Sequence, residues 1–224
     1  MRFRSAAGDD RHHLEHAAHA ARVLREEVAA AAVAEAEDAR GIDRDRLGEE
    51  ARDALLETAF IPAELRATWQ SVVDQALAGV HACYARAGEL PTIRLHGDCH
   101  GGNVLWTDAG PHFVDFDDAR NGPAIQDLWM LLSGDAPAMA RQLDHVLEGY
   151  EAFADFDPRS LHLVEALRTL RLIHYAAWIA RRWDDPAFPA AFGWFDSPRY
   201  WQDMILALRE QVALMDESPL VRQF

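Results

Sequence analysis

The sequence predicts a mostly helical α+β fold with a small β-hairpin set into it. Three observations predict it. Leu65, Trp69, Val72, Val73, Leu77, Val80 and Tyr84 recur mostly at steps of three and four, the spacing of one helix face. Ser160 to Trp183 is apolar on most sides, which marks a central, buried helix. Between them, Ile93–Leu95, Val104–Trp106 and His112–Phe116 are short apolar runs separated by Gly, Asp and Asn, as strands and their turns are.

In chain order, residues 1–50 come first as a distinct segment. They hold 13 Ala, no Pro and one aromatic residue, Phe3. His13 to Asp38 is rich in Ala, Glu and Arg and has high helix propensity, but its apolar stripe is thin: Leu14, Val23, Leu24, Val28 and Val33. Two readings of this segment stay open. It is a helical N-terminal extension, or it is the translation of a start or reading-frame error upstream of about Leu47, since GC-rich noise also favours Ala and Arg. From Leu47 the pattern firms up, and residues 51–224 form the second region. Glu50 to Ala59 is a short helix. Ile61-Pro62 opens a longer one, with Pro at the first turn, and Gly88 ends it. Asp108-Ala109-Gly110 reads as a hairpin turn and Gly122-Pro123 as a break. Helices follow over Ala124–Ser133, Met139–Ala154, Ser160–Trp183 and Tyr200–Met215, with Asp184–Pro198 a loop rich in Pro and aromatic residues.

Bulk properties narrow the function classes. The formal charge is −15, which argues against broad contact with nucleic acid or anionic membrane, since both select a positive surface. No run approaches the roughly 18 apolar residues of a membrane span. Cys83 and Cys99 have no framework spacing, and no signal peptide precedes the first helix, so a cytoplasmic protein is expected.

The chemistry concentrates in Ile93-Arg-Leu-His-Gly-Asp-Cys-His-Gly-Gly-Asn-Val-Leu-Trp106 and Phe113-Val-Asp-Phe-Asp-Asp118. Asp98 and Asn103 bracket a loop between strands, and Asp115 is expected near the end of the returning strand. Two carboxylates and an amide oxygen thus come close together. Mg²⁺ takes hard oxygen ligands, few of them from protein, and a separate carboxylate can orient a hydroxyl and accept its proton. Those are the parts of a phosphoryl-transfer site.

The order of these residues resembles the protein-kinase signature: Asp, Asn five residues on, then an Asp after a hairpin. Gly97 stands where that signature has Arg, and Asp115-Phe116-Asp117 where it has Asp-Phe-Gly. These departures resemble the aminoglycoside phosphotransferase and choline kinase superfamily. With Gln126-Asp-Leu-Trp-Met-Leu-Leu132 and Arg181-Arg-Trp-Asp-Asp-Pro-Ala-Phe-Pro189, the set is similar to the bacterial stress response kinase A family, from about Ala51 to near the C-terminus. The resemblance implies a protein-kinase-like large lobe, ATP and Mg²⁺ as cofactors, and a protein Ser or Thr as substrate. It also implies a cytoplasmic enzyme, expected here as a monomer.

The resemblance also assigns roles. Asp98 is the catalytic base, Asn103 and Asp115 the Mg²⁺ ligands, and Asp115 takes part in catalysis through that ion. His100 is a candidate for the donor phosphate or the loop backbone. His96, Asp117 and Asp127 support from behind, with Asp127 accepting hydrogen bonds from the loop backbone. Duller readings stand beside these: Asp98 and Asn103 as turn residues, Asp117 and Asp118 as a solvated turn, Asp127 on an exposed helix face, Cys99 as a packed residue, and Arg120 as a partner for an acidic loop residue. All 22 basic residues are Arg, so no Lys is present to hold donor phosphates, and residues 1–50 show no strands. The expectation is therefore a catalytic lobe without its small N-terminal lobe, weak alone in Mg²⁺-ATP binding and transfer. A small-molecule kinase and a non-catalytic binding lobe are the alternatives.

Overall fold

The computed structural model describes residues 44–108 and 110–222. Residues 1–43, and with them most of the Ala-rich segment, lie outside the described residues, as does Ala109 of the expected hairpin turn. In chain order the elements are helices α1 (Arg44–Leu47), α2 (Glu49–Leu56) and α3 (Ala63–Ala87), then strands β1 (Ile93–Leu95), β2 (Val104–Thr107), β3 (Gly110–Phe113) and β4 (Arg120–Gly122). Helices α4 (Ile125–Leu128), α5 (Ala136–Glu151), α6 (Val164–Arg181), α7 (Ala187–Ala191) and α8 (Pro198–Asp216) follow. The mostly helical α+β expectation holds.

The chain divides into two compact units. The helical unit draws on residues 44–88 and 162–219 and contains α1, α2, α3, α6, α7 and α8. Its core is one apolar cluster, with Trp69, Val73 and Ala76 from α3, Leu170 and Ile173 from α6, and Trp201 and Leu208 from α8. Trp69 and Trp201 meet edge to face at 6.0 Å, a favourable arrangement of ring quadrupoles. The ends of α3 follow from the sequence. The Pro62 carbonyl accepts from the Leu65 and Arg66 amides, and Gly88 closes the helix at φ 67, a backbone shape glycine takes without strain. Pro62 caps the helix rather than starting its first turn. Ser197 caps α8 through the Tyr200 amide, with Pro198 in the first turn.

Two helix expectations beyond residue 157 are corrected. The run from Ser160 begins as 3-10 helix over Pro158–Leu163 and turns α-helical only at Val164. The aromatic loop after Trp183 contains a short helix, α7. Asp185 sets it up by accepting the Ala187 amide on its side chain and the Phe188 amide on its carbonyl.

The site-bearing unit draws on residues 89–161 and 220–222. It holds two antiparallel ribbons. β2 pairs with β3, Val104 opposite Phe113 and Thr107 opposite Gly110. β1 pairs with β4, Leu95 opposite Arg120, a long-range ladder that nothing in the sequence announces. The helix expected over Ala124–Ser133 is one α turn, α4, followed by 3-10 helix over Trp129–Leu131. α5 starts three residues earlier than its apolar pattern, because Asp135 caps it through the Ala138 amide.

Candidate active site

The loop between β1 and β2 is built around Asp127. One carboxylate oxygen accepts from the His96 amide at 2.7 Å and the other from the Gly97 amide at 2.9 Å. Asp127 is buried on α4, not on an exposed face. Its carboxyl is pushed up to about 6, because burial disfavours the charge more than the two amides favour it.

His96 is also buried and committed. Its Nε2 donates to the Val114 carbonyl at 2.8 Å, its Nδ1 lies 3.4 Å from the Asp98 amide, and its ring leans on Phe116 at 4.6 Å. Gly97 turns the chain at φ 89, with the Asp118 carbonyl so close that a Cβ would lie 2.0 Å from its oxygen. Arg120 pairs with Asp118, donating to its carbonyl at 2.7 Å and to its carboxylate.

Asp98 leaves this turn half-buried. Its carbonyl accepts from the His100 amide at 2.9 Å and from Asn103 Nδ2 at 3.0 Å. His100 folds back: Nδ1 accepts from the Gly102 amide at 2.9 Å, and Nε2 stands 3.5 Å from Asp98 Oδ2. Cys99 is fully buried with Val104 and Phe113 beneath the loop. Burial there raises its thiol well above the usual range, and the Asp127 and Asp98 charges add to that, so it is an inert packed residue.

Asp115 is placed differently from its expectation. The returning strand stops at Phe113, not Phe116. The Val114 amide still donates to the Asn103 carbonyl at 3.1 Å, but the Val114 carbonyl is taken by the His96 ring. Asp115 then turns the chain at φ 66, the one positive φ outside glycine among the described residues. It is exposed, so no desolvation cost attaches to it. Asp117 is exposed two residues further on. The fold thus links Asp98, His100 and Asn103 directly, and His96 and Asp127 directly. Asp115 joins them through Val114. The sequence reading missed the parts played by Val114, Phe116 and Gly102; the Gly101-Gly102 doublet was the signal available for the last.

Asn103 and Asp115 fit a hard cation by donor type. The Asn103 side chain is buried, and its nitrogen is used by the Asp98 carbonyl, which leaves its oxygen as the ligating end. Among the described residues no group of three or more His, Cys, Asp or Glu could hold a metal. Mg²⁺ needs only one or two protein ligands when phosphate and water complete its shell.

The Asp127 brace makes a stability prediction. Asp127→Ala strands two amides and is expected to cost about 2–4 kcal/mol at about pH 5. Burial penalises the charged carboxylate and raises its folded value to about 6, above the ordinary value near 3.9, so the stability added by the neutral form is full below about pH 4 and lost as pH rises through about 6, while the two amide bonds, which favour the charged form, persist. Denaturant melts should show the gap between wild type and Asp127→Ala narrowing from pH 4.5 to pH 7. A gap that widens would reverse the assignment.

A model of the phosphotransferase enzyme family matches residues 3–164. Stress response kinase A of Salmonella choleraesuis (strain SC-B67) is 47% identical over 171 residues, 76% of this chain and 51% of that protein. The serine/threonine protein kinase RdoA of Salmonella typhimurium is 47% identical over the same length. The chain spans about half the length of these relatives. Among solved structures, a choline/ethanolamine kinase family protein from Mesorhizobium loti matches with a TM-score of 0.58 at 19% identity, covering 90% of this chain and 65% of that one. Amicoumacin kinase hAmiN, solved with AMP-PNP, Ca²⁺ and Ami, matches with a TM-score of 0.55 at 15% identity, over 98% of this chain and 65% of that one. These two likenesses speak to fold.

Proposed function

The chain belongs to the phosphotransferase enzyme family, and from that premise we propose that it transfers the γ-phosphate of ATP to a Ser or Thr hydroxyl of a protein. The observation that carries this reading is the Asp127-braced turn, which delivers Asp98 beside Asn103. The 47% identity to a serine/threonine protein kinase supports the substrate class. Residues 51–224 are read as the kinase-like catalytic lobe. An enzyme that consumes ATP works where ATP is kept, so the cytoplasm is its expected compartment, and a monomer its expected state.

Asp98 accepts the proton of the attacking hydroxyl and aims its oxygen at the donor. Asn103 and Asp115 would hold Mg²⁺, with Asp117 two residues further on, and the ion would supply charge neutralisation at the donor phosphate. Asp127 and His96 keep the turn rigid, so positioning is prepaid by the fold.

The test is incubation with Mg²⁺-ATP and, separately, generic protein substrates, choline-type alcohols and aminoglycosides. Labelled protein Ser or Thr is the expected product. Transfer to small alcohols alone would make the chain a small-molecule kinase. Failure to bind Mg²⁺-ATP at all would leave a non-catalytic lobe.

The metal assignment has its own test. Asp115→Asn tolerates the left-handed backbone but removes the ligand charge. Calorimetry should show nucleotide affinity that no longer responds to Mg²⁺, with an unchanged melting temperature. Retention of the wild-type Mg²⁺ response removes Asp115 from the metal.

A further inference from the structure

We infer that His100 is a positioning residue that holds the Asp98 carboxylate in its working orientation, and not a phosphate ligand. The inference rests on the reading of Asp98 as base. Its geometry begins at the Gly101-Gly102 doublet. A Cβ on Gly101 would meet open space, whereas one on Gly102 would lie 2.6 Å from His100 Cε1 and 2.9 Å from Nδ1. The second glycine therefore makes room for the imidazole.

That placement fixes the ring's chemistry. The Gly102 amide donates to Nδ1 at 2.9 Å, so Nδ1 carries no hydrogen. A neutral imidazole then bears its hydrogen on Nε2. Nε2 is the nitrogen that faces Asp98 Oδ2, at 3.5 Å. This is a long contact, of the kind that tightens when substrate binds. The Asp98 carbonyl is held by the His100 amide and the Asn103 side chain. The Nε2–H acts on the carboxylate, from the side of Oδ2. Both ring nitrogens face protein partners, so a phosphate on His100 would have to displace one of them.

Orientation matters because a displacement of about 1 Å at a reacting group costs on the order of 100-fold in rate. The test compares His100→Ala and His100→Gln in the full chain with Mg²⁺-ATP and protein substrate. His100→Ala should lower kcat about 10- to 100-fold and leave KM for ATP within about twofold. His100→Gln, whose amide N–H reaches the same carboxylate, should recover most of the loss. A raised KM for ATP at unchanged kcat, or no rescue by Gln, overturns the inference.

A second arm needs no activity. The ring ¹⁵N resonances assigned to His100, by their loss in His100→Ala, should report the Nε2–H form. They should shift in Asp98→Asn. The Nδ1–H form, fast averaging between the two, or no response to Asp98→Asn also overturns it. Should Asp98→Asn leave transfer unchanged, the base assignment fails on its own, and the ring resonances still decide what His100 touches.

Discussion

Gly97→Ala is expected to destabilise the site-bearing unit by about 3–5 kcal/mol and to abolish transfer with it. Two costs add. The backbone at residue 97 stands at φ 89, where an L side chain is strained by about 1–3 kcal/mol. The new methyl would also sit 2.0 Å from the Asp118 carbonyl oxygen, and that neighbour is backbone. It cannot swing aside as a side-chain tip would. Asp118 is tied through Arg120 to the ladder in which Arg120 faces Leu95, one residue before His96. Relief would therefore pull β4 from β1 or drag the Gly97 amide off Asp127. Overpacking of this kind costs about 1–3 kcal/mol where the site can shift, and more where it cannot. Equilibrium melts of wild type and variant measure it. A loss below about 1 kcal/mol would mean that the turn relaxes freely and that its tight packing is not what the fold requires.

The same position shows how far the sequence could be read. Gly97 was visible as a departure from the His-Arg-Asp pattern. The reason for it was not, because the atom that excludes a side chain belongs to residue 118, on the approach to a strand pairing of high sequence separation. Such ladders leave no local trace: Ile93–Leu95 reads as a short apolar run, and Arg120–Gly122 as polar residues leading into the break at Gly122-Pro123. Helix α3 was legible almost to the residue, since its apolar spacing and its flanking Pro62 and Gly88 are local signals. The end of β3 is not legible, because apolar alternation continues through Phe116 while Val114 has already turned its carbonyl to the His96 ring. Local pattern cannot report which partner a carbonyl chooses. The offsets of Asp98, Asn103 and Asp115 pick out residues that the fold links unequally, Asp98 to Asn103 directly and Asp115 only through Val114. Their support was only half legible: Asp127 could be named, but the ring of His96 and the space at Gly102 are properties of packing.

Asp98→Asn is expected to lower phosphoryl transfer by about 10²- to 10⁴-fold, the usual contribution of a positioned base. The substitution is nearly isosteric. The backbone carbonyl of residue 98, which binds the His100 amide and the Asn103 side chain, is untouched, so the loop should keep its shape. What is lost is the charge proposed to accept the hydroxyl proton. The amide left in its place is a much weaker acceptor of a proton. Nucleotide binding should survive, because Asn103 and Asp115 remain, and calorimetry with Mg²⁺-ATP should give wild-type affinity within about threefold. The comparison is made as a ratio in single-turnover transfer with enzyme in excess, where slow product release does not mask chemistry. A drop of less than tenfold would take the proton from Asp98 and give it to another carboxylate of the loop, with Asp117 the first to be replaced. Loss of Mg²⁺-ATP affinity alongside transfer would mean instead that Asp98 belongs to the metal site.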